Sequence, residues 1–118
     1  MSHTAKIQTE FTDKDCLCKA CARLGIECKT VENERLFDGT TKSGLAIYLP
    51  GWNYPVVIDD NNEAFYDNYR GNWGDIKEFN KLKTYYGVEK AKKLARIKGY
   101  STREVMVEGK PQVRIMVG

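Results

Sequence analysis

The residues in this chain best equipped for chemistry are four thiols, Cys16, Cys18, Cys21 and Cys28, crowded into the first quarter of 118 residues. Cys18 and Cys21 make a C-x-x-C pair, and four thiols match the ligand count of a structural zinc site. Zinc ribbons, however, hold their ligands on tight turns in two separated pairs. Here Cys21 falls within an apolar helical stripe, while Cys16 and Cys18 leave the same helix in different directions. The expectation is that Cys21 and Cys28 pack as small buried hydrophobes and that no metal is bound. The C-x-x-C also lacks the strand-to-helix setting of a thioredoxin-type redox motif.

A second concentration is aromatic. Trp52, Tyr54, Phe65, Tyr66, Tyr69 and Trp73 are interleaved with Asn53, Asn68, Arg70 and Asn72. Ring faces beside guanidinium and amide groups can stack a base and bind its edges. Gly51, Gly71 and Gly74 would let backbone approach a ligand. The competing account is that such rings fill a core or an oligomer interface. Because Trp52 and Trp73 fall in expected loops, where binding residues concentrate, the candidate ligand-binding set is Trp52, Tyr54, Tyr69, Arg70 and Trp73.

Other groups read as structural. His3 is the single histidine, near a terminus and without an orienting partner, so hydrolases built on Ser-His or Cys-His pairs are disfavoured. Asp59, Asp60 and Glu63 cluster at one turn and Asp67 and Asp75 near another. Asp59-Asp60-Asn61-Asn62 is explained by turn chemistry, without the spacing of a calcium loop. Lys90, Lys92, Lys93, Arg96 and Lys98 follow Lys77, Lys81 and Lys83, chiefly as the solvated face of a helix with some capacity to attract phosphate. No P-loop or dinucleotide-binding glycine motif is present.

Composition bounds the function further. Hydrophobic residues make up 42% and charged residues 30%, as in an ordinary folded domain. The length suits one domain, residues 1–118, with a real but shallow core. The formal charge of +3 is mild, so an anionic partner is permitted while dedicated nucleic-acid binding is not expected. No apolar run reaches the roughly 20 residues that span a bilayer, and no signal segment is recognised. A cytoplasmic protein with reduced thiols is therefore expected.

Behind these groups the elements are legible. His3 to Phe11 alternates as a strand. Thr12 or Asp13 caps a helix whose stripe is Leu17, Ala20, Cys21 and Leu24, stopped by Gly25. The middle reads as a meander: Ile26 to Val31, a turn at Asp38-Gly39, Ser43 to Leu49, Pro55 to Ile58, and Ala64 to Tyr69. Asp75 caps a second helical region carrying Ile76, Phe79, Leu82 and Tyr86, then Val88, Ala91, Leu94 and Ala95, with a kink or break expected at Gly87. Gly99 ends it, and Tyr100 to Val107 with Gln112 to Val117 close the chain as a hairpin. The expected fold is α+β, an antiparallel sheet with two helical segments on one face, in the order βα-ββββ-αββ.

The opening Met1-Ser2-His3, the Ile7-x-Thr9 strand and the Leu24-Gly25-Ile26 helix end resemble a domain family of unknown function. Phe79 through Tyr85-Tyr86-Gly87 to Ala95 and Gly99-Tyr100 resemble it as well. That family includes a hypothetical chloroplast reading-frame protein and bacterial and phage relatives. The resemblance covers both ends of the chain more than the stretch from Val31 to Tyr66. It implies a small α+β fold, whose bacterial members are often encoded near an AAA-type ATPase, and supplies no catalytic residues.

Three classes of function follow. The first is a non-enzymatic binder of a small anionic or nucleotide-like ligand, such as a phage sequestering protein, without a cofactor. The second is a protein-interaction adaptor associated with an AAA-type ATPase system and anchored by Trp52 and Trp73. An enzyme is the least favoured. Homo-oligomers suit all three, since a small domain can complete its pocket across a symmetric interface.

Overall fold

The computed structural model describes residues 4–8, 11–35, 41–67 and 75–117, with backbone alone for 4–8, 35 and 66–67. The elements run β1 (Thr4–Gln8), α1 (Lys14–Leu24), β2 (Glu27–Arg35), β3 (Thr41–Tyr48), β4 (Val56–Ile58), β5 (Glu63–Asp67), α2 (Ile76–Ile97), β6 (Ser101–Val107) and β7 (Lys110–Met116). This is the expected α+β class and element order. Five strands form one antiparallel sheet in the order β1-β5-β4-β3-β2. The closing hairpin does not join it: β6 and β7 form a separate two-stranded ribbon.

Period-two alternation sorts the sheet residues onto two faces. Leu45, Ile47, Leu49, Val56, Ile58 and Ala64 point to the helices and bury with Leu17, Ala20 and Cys21 of α1 and Phe79, Leu82 and Tyr86 of α2. Phe11, 2% exposed, lies edge-on to both Phe79 and Tyr86, at centroid distances of 6.0 and 4.9 Å. Such T-shaped pairs match positive ring edges to negative ring faces. The opposite face carries Ala46, Val57 and Phe65, where the ammonium of Lys42 lies 4.2 Å from the Phe65 ring centroid. Gly44 is required where β3 meets β4: an added Cβ would lie 2.1 Å from the Ile58 carbonyl oxygen.

Local chemistry sets the helix ends. Asp13 caps α1 by accepting from the Cys16 N–H at 3.1 Å, and Gly25 stops it with φ of 70°, a left-handed conformation that costs glycine little. Asp75 caps α2 by accepting from the Lys77 N–H at 2.9 Å. Helix α2 differs from its sequence pattern, running unbroken for 22 residues through Gly87. Tyr86 and Val88, both 5% exposed, anchor the backbone on either side of it. Burial of those neighbours outweighs the roughly 1 kcal/mol that a mid-helix glycine costs. Leu94, expected to face inward, is 48% exposed. In the turn between β4 and β5, Asp59 Oδ1 accepts from the Asn61 and Glu63 N–H groups at 2.9 and 3.0 Å, the turn chemistry read from the sequence. The Asp38-Gly39 turn lies outside the described residues.

Candidate functional site

The first half of α2 places Lys77, Asn80, Lys81, Thr84 and Tyr85 on one face, as spacings of three and four residues require. The ribbon packs back against this face. Its turn, Glu108-Gly109, has φ values of 52° and 78°, as a two-residue hairpin turn of primed type demands. Together they flank an open cleft of about 290 Å³ lined by Lys77, Asn80, Lys81, Thr84, Tyr85, Gly109, Lys110 and Pro111. Three of these side chains are ammonium groups, and no carboxylate is among them.

The wall at Tyr85 is also met by an arginine. The Arg23 guanidinium carbon, from the last turn of α1, lies 4.8 Å from the Tyr85 ring centroid. Arg23 in turn donates two bonds to the Glu104 carboxylate of β6, at 2.9 and 2.7 Å, and one to Glu89 of α2 at 3.2 Å. Lys92 joins the same carboxylate at 2.7 Å. Hydrogen bonds from Arg23 and Lys92 hold the Glu104 carboxyl down at about 2. A planar guanidinium gripping a carboxylate through both oxygens is geometrically exacting. This junction therefore fixes α1, α2 and β6 relative to one another and sets the aromatic edge of the cleft.

The lysines thus divide by position. Lys77 and Lys81 face the cleft. Lys93 donates to the Asp13 carboxylate, and Lys90 lies 3.6 Å from it. The Lys93 bond, with the Cys16 N–H, holds the Asp13 carboxyl well below the usual range. Asp13 also donates its own N–H to the Tyr86 hydroxyl at 3.2 Å. Reading the basic run chiefly as a solvated face missed these structural roles, which depend on which helix lies opposite.

The aromatic set is only partly described. Trp52 is half-buried and packs against the main core, with its indole N–H donating to the Asp75 carbonyl at 3.0 Å. Tyr54 is half-buried as well. Neither lines the cleft. Tyr69, Arg70 and Trp73 lie outside the described residues, as does His3. Among the thiols, Cys16 and Cys21 are buried in the core. Cys28, expected to be core-packed, is only partly so: it packs at the core margin and its sulfur lies 3.4 Å from that of the exposed Cys18. Among the described residues no group of three or more His, Cys, Asp and Glu side chains is placed to hold a metal ion, and no helix is long and apolar enough to cross a membrane.

Comparison of the chain with protein-family models, with curated proteins and with solved structures finds no match. The case for function therefore rests on the cleft. A sequence signal for it existed in the 77-80-81-84-85 face. The contribution of Lys110 and Pro111 was hidden, because the docking of a hairpin against a helix has no local signature.

Proposed function

We propose that this chain is a non-enzymatic binding protein for a small anionic, nucleotide-like ligand seated between α2 and the β6–β7 turn. The observation that carries the reading is the convergence of Lys77, Lys81 and Lys110 on one cleft without a lining carboxylate. Ammonium groups lining one cleft favour an anion there, and a phosphate can accept hydrogen bonds from them. Asn80 and Thr84 offer neutral polar groups, and Tyr85 an aromatic surface for an unsaturated ring. The volume sits at the small end of ligand pockets, suited to a mononucleotide or a phosphorylated metabolite. The reading assigns the protein to the cytoplasm and needs no cofactor.

Isothermal titration of the full chain with nucleoside mono- and diphosphates, and with inorganic phosphate, tests this. Binding is expected to weaken about tenfold in each of Lys81→Ala and Lys110→Ala, equivalent to ~1.4 kcal/mol, and to fall further as salt is raised. Failure of every phosphorylated probe to bind at millimolar concentration would reject it. Arg70→Ala and Trp73→Ala belong in the same series. If these abolish binding while the lysine variants do not, the ligand sits at the aromatic loop set of Trp52, Tyr54, Tyr69, Arg70 and Trp73.

A second reading has its own observation. Ile97 is 71% exposed and Val117 72%, with Leu94, Ile115 and Met116 exposed nearby in the chain order of α2 and β7. Since Ser101 pairs with Met116 and Thr102 with Ile115, the end of β7 returns towards the end of α2. Exposed apolar side chains near these two chain ends favour protein contact, either as a homo-oligomer or as an adaptor for an AAA-type ATPase system. A stable complex with one partner protein, unaffected by Lys81→Ala, would support it.

A further inference from the structure

We infer that Cys18 and Cys28 form a reversible dithiol–disulfide pair that ties the middle of α1 to β2. Their sulfurs lie 3.4 Å apart, although the residues are ten positions apart in sequence. That separation is shorter than two sulfur atoms usually keep without a bond, so modest side-chain rotation and local backbone adjustment bring them together. The pairing follows from the chain path. Gly25 turns the backbone sharply at the end of α1, and Ile26 donates its N–H to the Cys21 carbonyl at 2.8 Å. Residue 28 is thereby laid beside the helix turn that carries residue 18.

Exposure separates the roles of the thiols. Cys18 is exposed and open to a reagent, Cys28 is half-buried beside it, and Cys16 and Cys21 are buried. Cys18 is therefore the thiol that meets an oxidant, and Cys28 the one that resolves it. The co-reactant is a low-molecular-weight disulfide. Cys18 loses its proton and attacks one sulfur of that disulfide, whose S–S bond breaks to release a first small thiol. Cys28 then loses its proton and attacks Cys18 Sγ, breaking the mixed disulfide and releasing a second small thiol. Two electrons pass from the protein pair to the reagent, and both protons end on the released thiols.

Burial and the neighbouring Cys28 push the Cys18 thiol up to about 11, while the Cys28 thiol is raised further still by its bond to Cys21 and by burial. Such thiols are mostly protonated near neutrality and exchange slowly, which suits a response to sustained oxidation. The link also has a structural consequence. Arg23, which supports the Tyr85 wall, lies on the segment between the two cysteines, so the new bond closes a loop around its anchorage.

The sequence makes the test clean. Trypsin cuts after Lys14, Lys19, Arg23 and Lys29, leaving Cys16 and Cys18 on 15–19, Cys21 on 20–23 and Cys28 on 24–29. The full-length chain is incubated with oxidised glutathione, alkylated under denaturing conditions, digested without reduction and mapped by mass spectrometry. Expected is an intact mass lower by two hydrogens before alkylation, a cross-link between 15–19 and 24–29, an alkylated Cys21, and full reversal by dithiothreitol. The cross-link should vanish in Cys18→Ser, an exposed position whose replacement leaves the helix intact by circular dichroism, and persist in Cys16→Ala. The linked protein should melt roughly 5–10 °C above the reduced one. A stable glutathione adduct on Cys18, a cross-link through 20–23, or a cross-link surviving Cys18→Ser would overturn the assignment.

Discussion

A few single side chains serve several elements at once, and Glu104 is the clearest. One carboxylate takes both guanidinium nitrogens of Arg23 and the ammonium of Lys92. Its folded state holds the acid at about 2, against an ordinary value of 4.5. A carboxyl depressed by folding contributes stability that is present above its unfolded value and is lost as pH falls towards its folded one. Urea midpoints should therefore drop between about pH 5 and pH 2. Glu104→Gln should cost about 1 kcal/mol at neutral pH, after allowance for solvent screening, and should flatten that acid limb. Asp13 adds to the same limb in both proteins, so the variant retains some slope. An acid limb identical in the two chains would show that the Arg23–Glu104–Lys92 junction contributes nothing to stability.

At the scale of elements, α2 shows how tertiary packing overrides local propensity. Gly87 is exposed, and an added Cβ would meet nothing within 4 Å. Gly87→Ala should therefore stabilise the protein by roughly 0.5–1 kcal/mol, read from chemical denaturation. Most of the element pattern was legible in the sequence because it rests on local rules: Asp13 and Asp75 as caps, Gly25 as a stop, alternation in β3, and the Asp59 turn. What could not be read depends on contacts distant in sequence. The unbroken passage through Gly87 needed Tyr86 and Val88 to bury, and the separate ribbon needed knowledge of where β7 docks. The cleft fell between these cases, with its helix face visible and its other wall not. The aromatic segment drew attention by composition, yet among its described residues Trp52 joins a core margin to a helix start and Phe65 lies on the sheet.

Viewed whole, the molecule measures 54 × 30 × 22 Å, with a two-stranded ribbon packed against α2 and a five-stranded sheet sharing its buried core with α1 and α2. A ribbon of two strands has little backbone protection of its own. Amide hydrogen exchange should consequently be faster across β6 and β7 than in the central strands β3 and β4, with α2 intermediate or slow. A ligand bridging α2 and the turn at Gly109 should slow exchange in the ribbon selectively. Uniform exchange rates would mean that the ribbon and the sheet open as one cooperative unit. The hydrogen bond from Trp52 to Asp75 has an optical consequence as well. The chain contains two tryptophans, so Trp73→Phe leaves a single indole, tethered to the carbonyl at the very start of α2. Its emission colour then reports the wetting of that seam, while far-ultraviolet ellipticity is dominated by the helices. One heated sample read at both wavelengths distinguishes a long helix peeling from its first turn from one that leaves all at once.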